Sequence, residues 1–204
     1  MNKQFSEELN QCISFHGHLC PGLIYGYLVA QKASELLHIN RSKDEEIVAV
    51  CENDSCAVDA LQVILGTSSG KGNLIIQNYG KNAFTIFSRS EKKAYRFSRT
   101  TTYAYTGLDS HEFQMLEKKV ADGTATIEEK KRQKYLKAID LIEQPFEAVF
   151  KTEETAYHPP DYAPLAPSKP CGLCGEMTMS TRMVSSDTHG LLCIPCSYKR
   201  TNLK

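Results

Sequence analysis

The chain has 204 residues, 41% hydrophobic and 24% charged, with 24 basic and 24 acidic side chains and a formal net charge of zero. This ordinary globular usage suits one domain with a small appendage and argues against a disordered chain. The balanced charge gives no general reason to expect a nucleic-acid or membrane partner, and the longest greasy stretch, Pro21 to Leu37, is interrupted by Gln31, Lys32 and Glu35, so it is not a membrane span.

The opening Met-Asn-Lys-Gln-Phe-Ser-Glu-Glu has no apolar centre and does not read as a secretory signal. The eight cysteines are therefore expected in the reducing cytoplasm, where clustered cysteines more often bind metal than form disulfides. Phe5, Leu9, Cys12 and Ile13 recur at helical spacing, and a second helix is expected from Pro21 to Leu37, with Pro21 at the position where a missing N–H costs nothing. A strand over Glu46–Glu52 rests on Ile47, Val48 and Val50, and a short apolar helix over Cys56–Leu65 stops at Gly66. Asn73–Tyr79 and Asn82–Ser88 read as a hairpin turning around Gly80-Lys81, with Ala94–Thr100 as a third strand.

Two polar helices, about 109–121 and 127–143, follow; Thr126 with Glu129 three residues on is a capping box for the second. Phe146–Thr152 is expected to return as a strand. Strands and helices do not strictly alternate, so the fold class is α+β, a mixed or antiparallel sheet with packed helices. Five of the eight prolines fall within residues 156–170, an extended spacer. The expected division is a core of residues 1–155, a linker of 156–170 and a tail of 171–204.

In the tail, Cys171-Gly-Leu-Cys174 and Cys193-Ile-Pro-Cys196 are separated by 18 residues. Two C-x2-C pairs at such spacing bring four thiolates to one tetrahedral zinc at ~2.3 Å. The order knuckle, hairpin, knuckle, helix is that of a treble clef, with a plain zinc ribbon as the alternative. A tail of ~34 residues buries too little apolar surface to fold unaided, and a structural zinc, contributing on the order of 10–16 kcal/mol in isolated fingers, supplies the deficit. Arg182, Lys199, Arg200 and Lys204 form at most a scattered basic face, read as solvated or as compensating a zinc–tetrathiolate.

The most unusual stretch of the core is Phe15-His16-Gly17-His18-Leu19-Cys20-Pro21-Gly22, with three metal-ligand types at alternate positions before a helix. A fully extended backbone would hold the α-carbons of His16 and Cys20 ~13 Å apart at ~3.3 Å per residue. Either Gly17 bends the chain or other residues complete a site. Cys56, at the start of the third helix, and Asp59, one turn on, are the candidates. Helix starts lower thiol pKa values, so Cys20 and Cys56 are expected to favour thiolate. His16, His18, Cys20 and Cys56 are thus candidate ligands for a second divalent metal, and His18, Cys20, Cys56 and Asp59 candidate catalytic groups. Cys12 and Cys51 read as small buried hydrophobes, and His38 and His158 as surface residues. Gly66-Thr-Ser-Ser-Gly70-Lys71-Gly72 lacks the spacing, the hydroxyl and the preceding strand of a nucleotide phosphate loop. No elbow motif supports Ser-His-Asp catalysis.

The run Phe15-His16-Gly17-His18-x-Cys20-Pro21-Gly22, then Cys56-x-x-Asp59-Ala60-x-Gln62, then Gly70-Lys71-Gly72-Asn73, resembles the FmdE family, named for an accessory component of formylmethanofuran dehydrogenase, over roughly residues 10–150. The tail resembles the treble-clef zinc finger appended to some members. The resemblance implies an α+β core, a homodimer, association with subunits of a molybdenum or tungsten enzyme, and a metal-holding active site carried by His16, His18, Cys20, Cys56 and Asp59. The expected function is a metal-binding accessory or metal-handling protein of one-carbon or redox metabolism. A stand-alone metal- or thiolate-dependent enzyme on a small substrate is the second reading, and a regulatory or nucleic-acid-binding module using the tail the third.

Overall fold

The computed structural model describes residues 4–201, and side chains up to residue 198. The tail's basic residues Lys199, Arg200 and Lys204 therefore have side chains outside the described part. The chain forms two compact units, Met1–Tyr162 and Ala163–Lys204. Among the described residues no helix is long and apolar enough to cross a membrane.

In the first unit, helix α1 (Glu7–His16) starts at Ser6, whose hydroxyl accepts the Leu9 N–H, and ends at Gly17 with φ +91°. Helix α2 (Pro21–Leu37) follows, then strand β1 (Ile47–Cys51), helix α3 (Ala57–Leu65) and strand β2 (Leu74–Ile76). Strands β3 (Ala83–Ser88) and β4 (Lys93–Ser98) form the hairpin of the sheet, and β5 (Lys151–Glu154) closes it in the order β2-β1-β3-β4-β5. Helices α4 (Ser110–Ala121) and α5 (Ile127–Glu143) lie between β4 and β5, the latter opened by the Thr126–Glu129 capping box.

Side chains alternate across the sheet. Ile47, Ala49, Cys51, Phe84, Ile86 and Phe97 join the main core with the inner faces of α1, α2, α3 and α5, whereas Val48, Phe87 and Ala94 face the other way, beneath Tyr157. Asp140, buried on α5, anchors the loop before α4: it accepts the Tyr103 hydroxyl and both the N–H and the hydroxyl of Thr106.

Two expectations need correction. Asn73–Tyr79 and Asn82–Ser88 do not pair as a hairpin. β2 runs parallel to β1 (Ala49 opposite Leu74), and β3 runs antiparallel on the other side of β1 (Val48 opposite Phe87). The helix between β1 and β2 returns the chain to its starting end, which makes the crossover parallel. The Gly80-Lys81 bend then carries the chain around the end of β1, where the Glu52 carbonyl accepts the N–H groups of both Tyr79 and Lys81.

Phe146–Thr152 is not a strand throughout. Its first half is a helical turn, α6 (Phe146–Val149), with Phe150 N–H bonded to the Phe146 carbonyl; the strand begins at Lys151. The turn stacks Phe146 on Phe150 at 5.5 Å and sets Phe146 edge-on to Phe97, filling the core with aromatic surface that a strand would have placed on two faces.

In the second unit, the last three residues of the proline-rich stretch form β6 (Ser168–Pro170), paired with β7 (Met177–Met179). The expected strand over Thr178–Ser185 is broken by a 3-10 turn, Ser180–Arg182, before β8 (Met183–Ser186). β8 pairs with β9 (Gly190–Cys193), and helix α7 (Ile194–Thr201) follows directly.

Candidate metal centres

The core cluster is assembled from three helix ends. Gly17, left-handed at the end of α1, bends the chain, so His16 and Cys20 meet despite their separation in an extended strand: His16 Nε2 lies 3.6 Å from Cys20 Sγ. Cys20 caps α2, its sulfur accepting the Leu23 N–H at 3.4 Å. Cys56 stands at the start of α3. It comes within reach because α2 carries glycines four residues apart on one face. A β-carbon on Gly26 would sit 2.0 Å from the Ala57 carbonyl oxygen, and one on Gly22 3.0 Å from the Cys56 β-carbon, so only a bare backbone lets α3 approach this closely.

Ligand atoms of His16, Cys20 and Cys56 all lie within 4.8 Å of one another. Asp59 is not among them. Its Oδ2 is 2.7 Å from His16 Nδ1, and its Oδ1 accepts the Gln62 side-chain amide at 3.1 Å. This fixes the imidazole with Nε2 towards the sulfurs, the arrangement that orients metal-binding histidines through a carboxylate. His18 is exposed and lies outside the cluster, its ring tilted against that of His16 at 4.6 Å between centroids. Sequence reasoning thus named the right neighbourhood, while geometry separates three residues that converge from one that supports and one that stands outside. Gln62 entered only as part of a motif; its spacing of three from Asp59 on a helix was the available signal.

Burial raises the pKa of the Cys56 thiol above its ordinary value, and the Cys20 sulfur beside it adds to the effect. The helix start does not lower it, contrary to expectation, because desolvation and a neighbouring sulfur outweigh the dipole. Ionising such a pair calls for a cation between them. The donor set, two sulfurs and one imidazole, fits a borderline-soft ion such as zinc and leaves one position of a tetrahedron open. Cys12 and Cys51, fully buried elsewhere in the core, have thiols pushed up to about 11 and about 12, first by burial; they behave as apolar groups.

The second centre lies wholly in the tail. The sulfurs of Cys171, Cys174, Cys193 and Cys196 lie within 4.8 Å of one another. The first knuckle is closed by Gly175, φ +76°, whose N–H bonds the Cys171 carbonyl. A β-carbon on Gly172 would meet the His189 carbonyl oxygen at 1.9 Å, so the knuckle packs backbone to backbone on the β8–β9 turn. Cys193 ends β9 and Cys196 sits in the first turn of α7, completing the treble-clef order. Backbone N–H groups, those of Cys174 and Cys193 foremost, bring Cys171 down to about 6, while the crowded sulfurs, Cys193 foremost, push Cys196 up to about 12. Three of the four residues buried in this small core are cysteines, with Leu192 the fourth. A core made of sulfur is held by what the sulfurs bind. Four thiol ligands leave no open coordination position, which makes this a structural site.

The family model described as "FmdE, Molybdenum formylmethanofuran dehydrogenase operon" matches residues 15–157. A protein of Archaeoglobus fulgidus named "Probable S-adenosyl-L-methionine-binding protein" is 30% identical over 190 residues, 90% of this chain and 50% of the relative. The chain therefore spans about half the length of that curated relative. The crystal structure of an FmdE-like protein of tungsten formylmethanofuran dehydrogenase from Syntrophus aciditrophicus superposes with a TM-score of 0.55 at 18% identity, covering 94% of this chain and 90% of that one. At that identity the likeness establishes the α+β fold alone.

Proposed function

The chain belongs to the FmdE family, and we propose that it is a two-metal protein of one-carbon or redox metabolism, with an accessible ion at His16, Cys20 and Cys56 and a closed zinc in the tail. The carrying observation is the 2.7 Å bond from Asp59 to His16 Nδ1, which turns the other ring nitrogen to two sulfurs within 4.8 Å of it and of each other. In that reading His16, Cys20 and Cys56 hold the ion, Asp59 keeps the imidazole in one tautomer, and Gln62 keeps Asp59 in one orientation. A zinc-like ion with an open position supplies Lewis acidity towards a carbonyl or formyl oxygen. His18, at the exposed rim, is placed to exchange a proton with a bound substrate, as its ring lies against His16 without being locked behind it.

A one-carbon role is supported by the family's tie to the formylmethanofuran dehydrogenase operon and by the methyl donor in the name of the Archaeoglobus fulgidus relative. An accessory or metal-handling part beside a molybdenum or tungsten enzyme, a homodimeric state and a cytoplasmic setting belong to the same proposal. So does the division into a core of residues 1–155, a linker of 156–170 and a zinc module of 171–204.

Elemental analysis of the purified full chain tests the metal assignment. Two equivalents are expected in the wild type, one in Cys20→Ser or Cys56→Ser, and one in Cys171→Ser. An unchanged count in both core variants removes the core site. Turnover of formyl or carbonyl compounds that is lost in His18→Ala at full metal content distinguishes an enzyme from a metal-handling part.

A further inference from the structure

The segment rejected as a nucleotide phosphate loop has a different place in the fold. It forms one wall of an open cleft of about 800 Å³ whose other walls come from α1, from α3 and from the segment before β1. Three cations line the cleft, Arg41, Lys43 and Lys71, and no carboxylate does. Arg41 donates to the Val63 carbonyl at 2.9 Å and Lys71 to the Ser42 carbonyl at 3.4 Å. Among the described residues none of the three forms an ion pair. Elsewhere on this chain arginines and lysines do meet carboxylates, as in Arg132–Glu112 and Arg96–Glu52. Three positive heads converging on one concavity without a counter-charge repel one another unless an anion joins them.

Two further features belong to the same walls. Thr67 is 1% exposed, and its hydroxyl is the one buried side-chain polar atom without a hydrogen-bond partner among the described residues. An orphan of this kind is uncommon in a folded protein and is satisfied when a ligand oxygen arrives. Phe15 lies on the cleft with 59% of its surface exposed, a flat apolar face beside the cations. The volume is that of a small-molecule site.

We propose that this cleft is an anion-binding subsite for a small molecule whose phosphate or carboxylate head meets Arg41, Lys43 and Lys71 and whose planar ring lies on Phe15. Gln62 lines the cleft and bonds Asp59, so the bound molecule lies beside the His16, Cys20 and Cys56 cluster. The subsite stands on its own cations and does not depend on the metal reading.

Calorimetric titration of the full chain at low ionic strength with inorganic phosphate, succinate and adenosine 5′-monophosphate tests it. One-to-one binding of phosphate or succinate is expected, and which of the two binds assigns the head group. Lys43→Ala and Lys71→Met each weaken that binding about fivefold or more, raised salt weakens it further, and Phe15→Ala abolishes any preference for the nucleotide over phosphate. Lys43 is exposed, so its variant keeps the wild-type melting curve. Cys56→Ser keeps the anion affinity even where the core metal is lost. The proposal is overturned if none of the three probes binds saturably, if both lysine variants bind like the wild type, or if Cys56→Ser abolishes binding, which would place the anion on a metal.

Discussion

Asp59 and His16, forty-three residues apart, are joined by a 2.7 Å bond that sets the direction of the His16 ring. Replacing Asp59 by Asn keeps the shape and removes the charge. Loss of such a supporting carboxylate costs ~10–100-fold in metal affinity. Chelator competition on Asp59→Asn should show that loss at the core site with the tail metal unchanged; equal affinities would show that the carboxylate does not serve the imidazole.

Gly26→Ala tests how Cys56 is delivered. The added β-carbon would sit 2.0 Å from the Ala57 carbonyl oxygen, so α3 must move away from α2. Overpacking of this kind costs ~1–3 kcal/mol, read as a lower urea midpoint. The core metal should be lost at the same time, because the start of α3 carries Cys56 with it.

Glu46 gives a pH signature far from either metal centre. The Ser42 hydroxyl, 2.6 Å away, and then the Asp44 N–H hold its carboxyl down to about 2 from an ordinary 4.5. A depressed carboxyl contributes stability that is complete above the unfolded value and is lost as pH falls from 4.5 towards 2. Glu46 is exposed, so solvent trims the effect. Thermal melts across that window should therefore fall more gently in Glu46→Gln than in the wild type.

Metal removal should separate the two units. With Leu192 and three cysteines as its buried core, the tail has little to hold β8, β9 and α7 together once its ion leaves. Dialysis against a strong chelator is expected to erase the tail's backbone amide dispersion in NMR while the signals of β1, β3 and β4 persist. A tail that stays folded without metal would contradict the structural assignment.

The regular elements were legible because their signals are local. Ser6 and Thr126 cap helices within three residues of themselves, Gly66 ends α3 where an apolar run stops, and the paired cysteines of the tail mark a metal by spacing alone. The family could also be read from the chain, since its motifs are short and carry unusual residues. Partner choice in the sheet was not legible. The Gly80-Lys81 bend looks like a hairpin turn from its own residues, yet whether two strands pair across it depends on β1 lying between them, and no local residue reports that.

Residue order alone shows where the ligand types lie and implies a closed tail site and a core pocket. Folding in three dimensions brings His16 into the core cluster and leaves His18 outside, sets Asp59 behind the imidazole, and gathers Arg41, Lys43 and Lys71 around one cleft. The reason is physical. Helix and turn preferences act over a few bonds, whereas ligand distances depend on how closely α2 and α3 approach. That approach is set by the missing side chains at Gly22 and Gly26, which leave no periodic mark in the hydrophobic pattern.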